Sequence, residues 1–364
     1  MRPDKDVTGL CADILGDLPR SDQRRRGREY IQGLLHSHGR KSIRNIAAIS
    51  GDRAAEQALH HFVSDSTWHW MPVRRALTRH VTQIANVTAW VLHPTLIRKA
   101  GTHSVGVGRK FSPVMHRSLN AQHAVGLWAA TNDFVAPVNW RLHLNGDWLT
   151  DERRRRRAAI PDDVVAQPLD ACAVDTYLEL DVANDAVVLI DARDMDAETV
   201  IRRLRASGVP VLARIPADLR LVAADGSQSE PAGDLLAAGR HNRRPVLGAR
   251  RDAPVLVSSV LARLPSTRVP DPLMLLGIGT PGRPGPDEVW LTSHTDAGLV
   301  DLTRATSLLG RVAHELESTG DQVGLRDFAG RSYGGWHRHA TLASAAHTLL
   351  ARRGRVGTAL SCVS

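Results

Sequence analysis

The chain has 364 residues, 43% apolar and 23% charged, enough for about two domains with a sizeable core. Its apolar runs are short, with no ~20-residue membrane span and no apolar leader near the N-terminus, so a cytoplasmic protein is expected. Cys11, Cys172 and Cys362 are scattered, which excludes a disulfide framework and a cysteine-cluster zinc site. The balance of 47 Lys+Arg against 38 Asp+Glu gives a net charge of +9, and only four of the 47 are lysines. Arginine suits phosphate, although a GC-rich genome makes the same exchange. Position is more telling than total. Eight basic residues lie between Arg20 and Arg44, six arginines lie between Arg326 and Arg355, and Asp170–Glu198 is acidic. A nucleic-acid surface built from both ends of the chain would have this pattern.

Residues 1–88 read as a helical, DNA-binding domain. Tyr30, Ile31, Leu34 and Leu35 recur at helical spacing, and Ile43, Ile46, Ala47 and Ile49 form a second stripe ending at Gly51, a C-cap. Helices are expected over Ala54–Val63 and Pro72–Ile84. The stretch from Arg40 to Val63 has helix–turn–helix character, against the alternative of a bundle with a solvated basic face. His60 and His61, near Trp68, His69 and Trp70, match no metal-binding spacing.

From Ala89 the pattern turns to period two. AWVLH, HSVGVGRKF, HAVGLWAA and VNWRLHL read as successive strands. Arg153–Arg157, five consecutive arginines, form a solvated helix face or a phosphate contact, the former being the default. Strand Ala186–Asp191, helix Ala197–Ala206 stopped at Gly208, and strand VPVLARI make a βαβ unit with parallel strands. Residues 217–288, rich in Gly, Pro and Asp, read as a small β-rich insertion. Val289–Ser293 resumes the core, and helices over Leu299–Ser318 and Thr341–Arg352 close the chain.

Several segments resemble the DDE transposases of bacterial insertion sequences. KAGTHSVGVGRKF with RSLNAQHAVGL is one, WLTDERRRRRAAIPDD a second, and GLRDFAGRSYGGWHRHATLASAAHTLL the third and most specific; RRRGREYIQGLL near the N-terminus accompanies them. The resemblance implies an α/β fold: a ribonuclease-H-like mixed sheet with flanking helices, a core over 89–216 completed by 289–364, an N-terminal helical domain and the insertion. It also implies three carboxylates holding two magnesium ions. Carried over position by position, only Asp191 survives. His93 and Pro94 stand where the first acid belongs, and Ala313 stands where the third does. Glu315 is two residues away, a turn of roughly 200° on a helix. No metal cofactor is therefore expected.

The chain then reads as transposase-like, with cleavage and strand transfer lost, retained as a DNA-binding or regulatory factor. The alternatives are recruitment of the same cleft to another enzymatic role and an active transposase with a relocated metal site. DNA is the expected partner, with a second copy of the chain as a further one. The expected DNA contacts are Arg24, Arg25, Arg26, Arg28, Lys41, Arg44, Lys99, Arg109, Lys110, Arg331 and Arg338.

Overall fold

The computed structural model describes residues 5–361 except 51–52, 113–114, 181, 183–184, 225, 227, 240–241, 248–253 and 267–271. Gly51 and Cys362 lie outside the described residues. Five helices open the chain: α1 (Lys5–Leu15), α2 (Ser21–His36), α3 (Ile43–Ala48), α4 (Arg53–His60) and α5 (Trp70–Ile84), with a π-helical turn over His61–Asp65. Their apolar stripes meet at Ile14, Leu15, Ile31, Leu34 and Leu77, all at most 1% exposed. Gly33 lets α2 touch α3, because a Cβ there would run into the Ile46 side chain and backbone. Ser42 caps α3 by accepting from the Asn45 N–H.

Four strands follow: β1 (Val87–Arg98), β2 (Gly108–Ser112), β3 (Arg117–Thr131) and β4 (Val135–His143). Only the second half of HSVGVGRKF is strand. The alternation misleads because Val105 and Val107 are both buried, and Gly106 between them takes φ +76°, which turns the chain. Helices α6 (Gly146–Thr150), α7 (Glu152–Arg157) and α8 (Leu169–Leu178) lead to β5 (Val187–Asp191), α9 (Ala197–Ala206) and β6 (Val211–Arg214). Gly208 ends that helical passage at φ +73°. β1 pairs antiparallel with β3 and parallel with β5, in the register Ala89↔Val187 to Leu92↔Ile190. β5 pairs parallel with β6.

The Gly- and Pro-rich stretch does more than hang from the core. It supplies β7 (Arg220–Ala223), β8 (Ser229–Pro231), α10 (Ala232–Ala238), β9 (Arg244–Val246), β10 (Val255–Arg263) and β11 (Leu273–Gly279), and returns through β12 (Glu288–Thr292). β12 pairs antiparallel with β6, so these strands extend the core sheet to twelve, with the path β2-β3-β1-β5-β6-β12-β11-β10-β7-β8.

The expected helix over Leu299–Ser318 is two helices, α11 (Leu299–Thr306) and α12 (Leu308–Glu317). At the joint the hydroxyls of Thr306 and Ser307 bond back to the Thr303 and Arg304 carbonyls. After α13 (Thr319–Gln322), the last helix, α14 (Tyr333–Ser361), begins eight residues earlier than expected. It is buried on most sides against β4, α2 and α5. The whole is a mixed α/β architecture with a ribonuclease-H-like core. No helix among the described residues is long and apolar enough to cross a membrane.

Candidate functional site

The carboxyl ends of parallel strands are where an α/β sheet gathers chemistry. Leu92 faces Ile190 in the register, so His93 and Asp191 are the next residues out on neighbouring strands. Asp191 is held by a two-pronged guanidinium. Arg193 Nε donates to Oδ1 at 2.9 Å and Nη2 donates to Oδ2 at 2.7 Å. The tight Asp-Ala-Arg turn makes this fork possible, and the Arg193 N–H also donates to Oδ1. Arg214, at the end of β6, stands 3.9 Å from Asp191 and 3.6 Å from Glu288 on β12. The Trp290 indole donates to Glu288 at 3.0 Å. Burial pushes the His93 pKa down to about 4, with Asp191 opposing it, so the imidazole is neutral at pH 7.

Ala313 sits on α12, which packs on β1, β4 and β5. Glu315 is turned to α14. It accepts from Thr319 Oγ1 at 2.8 Å and lies 3.9 Å from His347 Nε2. His347 is wholly buried. Among the described residues, no three His, Cys, Asp or Glu side chains are grouped to share a metal ion. Sequence reasoning located Asp191 and His93 but missed the Arg193–Asp191–Arg214–Glu288 chain of charges. An arginine two residues after the acid was the only local signal.

The expected DNA contacts divide sharply by placement. Arg338 is corrected to a structural cation: it is 9% exposed, donates to the Trp68 and Val63 carbonyls, and lies over the Trp68 ring. Lys41 is buried, with Nζ on the Ser37 carbonyl. Lys99 donates to the Arg326 and Phe328 carbonyls, and burial lowers its pKa to about 8. Arg24 holds the Leu18 carbonyl at the end of α1, and Arg26 pairs with Glu29 at 2.6 Å. Arg28 bonds to buried Cys11 from an otherwise exposed position. Lys110 is half-buried, which lowers its pKa. Arg25, Arg44, Arg109 and Arg331 are exposed.

The three resembling segments meet in space. Lys99 and Ser104, from the first, bond to the Arg326, Phe328 and Ala329 carbonyls of the third. Trp148, from the second, donates to the Val107 carbonyl of the first. The Tyr333 N–H, from the third, donates to the Ala158 carbonyl of the second. Between them lies a cleft of about 390 Å³ lined by arginines of α7 and by Arg331. His143 at the end of β4 faces His123, which faces Leu96 near the end of β1, so β4 leaves the sheet toward α6 and α7 at the same strand end at which β5 carries Asp191.

A family model described as DDE superfamily endonuclease matches residues 13–269 of this chain. No curated protein matches it.

Proposed function

The chain belongs to the DDE superfamily endonucleases, and from that premise we propose that it is a DNA-binding, transposase-like protein that does not cut DNA. The observation that carries the proposal is the clamp on Asp191. Two-metal phosphodiester chemistry needs several oxygen ligands that are free to receive hard cations. Here both oxygens of the one retained acid already accept from the Arg193 fork. The neighbouring position is a neutral imidazole, His93, a poor partner for magnesium. The third position is the methyl group of Ala313. This donor set does not fit a pair of divalent ions.

What the chain keeps is the means to hold a polyanion. Its exposed arginines are distributed over the N-terminal helices and over the cleft beside the site. A role in DNA binding, including regulation by occupancy of a site, needs nothing more.

The test is incubation with supercoiled plasmid in Mg²⁺ or Mn²⁺. The expected result is no nicking above that of Asp191→Ala. Nicking by the parent that disappears in Asp191→Ala would overturn the proposal.

A further inference from the structure

Resting on the reading above as a DNA-binding protein, we infer that the cleft between α7, the 101–107 loop and the 326–332 loop is a phosphate-backbone site, gripped by Arg153, Arg157 and Arg331.

The run of five arginines is not a uniform solvated face. Arg155 turns inward, and its Nη2 donates to the Pro161 and Val164 carbonyls. Arg156 turns outward and pairs with Glu152 at 3.0 Å. Arg153, Arg154 and Arg157, at i, i+1 and i+4, share the remaining face and line the cleft. Arg331 and His103 close it from the other two segments. Its floor is rigid, because Trp148 is buried and bonded to Val107, and the Arg154 guanidinium lies 5.6 Å above the ring.

The charge within this cleft is unbalanced. Arg153, Arg157 and Arg331 have no ion pair among the described residues. The one acid in the lining, Asp151, caps α7 through the Arg154 N–H and stands 3.5 Å from Arg154 Nε. Four guanidiniums therefore face one carboxylate across a space of about 390 Å³. Like charges at i and i+4 repel, and an anion between them relieves the repulsion. Arginine forks match phosphate oxygens in pairs. Arg153 and Arg157 are about 6 Å apart along the helix axis, comparable to the step between successive phosphates of one strand. The volume admits a backbone step or a pyrophosphate and excludes a folded partner.

The experiment measures fluorescence anisotropy of a labelled duplex over a series of salt concentrations. It compares the parent with Arg153→Ala/Arg157→Ala/Arg331→Ala, the matching triple Lys variant, and Arg156→Ala. The triple Ala variant should flatten the slope of log K against log salt by about 0.9 per lost contact, roughly 2.7 in all. The triple Lys variant should keep most of the slope, and Arg156→Ala should keep all of it. If the triple Ala variant melts early, Arg331→Ala alone should flatten the slope by about 0.9. A parent slope in these variants overturns the inference. A parent that binds no DNA sinks the wider reading instead, and a second arm then decides. Pyrophosphate that raises the melting temperature of the parent, but not of the triple Ala variant, keeps the cleft as a phosphate site. No such shift removes it.

Discussion

Arg74→Met tests the brace that holds the scaffold behind the site. Arg74 leaves α5 and enters the core at 1% exposure. Its Nε donates to Thr341 Oγ1 at 2.7 Å; Nη1 donates to Asn139 Oδ1 at 2.9 Å and to the Trp140 carbonyl; Nη2 donates to the His337 carbonyl at 3.0 Å. One guanidinium thus ties α5 to β4 and α14. Burial pulls its pKa down to about 9, with Glu179 opposing, so it stays charged at neutral pH. Methionine keeps an apolar stem of similar volume and removes every donor. Five charge-assisted bonds are lost, the fifth from Nη2 to His337 Nδ1 at 3.2 Å, at about 1.5–3 kcal/mol each, and relief of the buried charge offsets several kcal/mol of that sum. Removing one partner of a buried ionic network leaves a net loss of about 3–5 kcal/mol. In a chain of this size each kcal/mol moves Tm by roughly 2 °C, so Tm should fall by about 6–10 °C. Guanidinium denaturation at constant m-value measures the loss directly. A loss below about 1 kcal/mol would refute the argument, because the acceptors would then be satisfied by other donors, such as the Trp140 N–H and the Thr341 hydroxyl, without the cation.

Other expectations follow from the same geometry. His347 is buried against Trp128, with the Glu315 carboxylate 3.9 Å from Nε2 and the Glu315 backbone opposing the effect of burial. Burial holds its pKa down at about 3. The unfolded chain binds a proton near pH 6.5 that the folded chain refuses, so this stability is present above pH 6.5 and is lost as pH falls toward 3. His347→Leu should flatten the unfolding free energy against pH in that window by up to about 1.4 kcal/mol per pH unit, read by denaturant titration, and an unchanged profile would count against it. Gly324 has φ +68°, and a Cβ there would meet the Lys41 side chain. Gly324→Ala should cost about 1–3 kcal/mol by chemical denaturation.

The core was legible because its signals are local. The short apolar run at Val187–Ile190, set between Asp185 and Asp191 and rich in β-branched residues, reads as a buried strand and is one, with Asp191 at its carboxyl end; the resemblance, not this local pattern, singled out the acid. The pairing of β1 with β5 is what the ribonuclease-H-like resemblance implies, and the structure has it. The length of the sheet was not legible. Pairing of β12 with β6 joins Trp290 to Arg214 across a long separation in sequence, and no local pattern encodes it. Cations were read least well. Arg338 and Arg331 look alike in sequence, yet one is fixed over the Trp68 ring and the other is exposed, and only packing tells them apart. The same holds within the arginine run, where neighbours one residue apart differ in burial and partner.

The return strand of the insertion gives the edge its electrostatic character. β12 carries Glu288 to Arg214, so Arg214 stands between two carboxylates while Arg193 holds the first of them. Two acids and two guanidiniums then balance, with His93 neutral beside them. A balanced cluster projects little field and draws neither a cation nor a phosphate strongly. The cleft lined by α7 and Arg331 has four guanidiniums against one carboxylate, so its own field is positive. Substituting Arg193 alone would free one carboxylate but supply no second ligand, because Ala313 and His93 remain as they are. The proposed loss of chemistry therefore does not rest on the clamp alone, while the proposed grip on a polyanion depends on residues that the clamp does not touch.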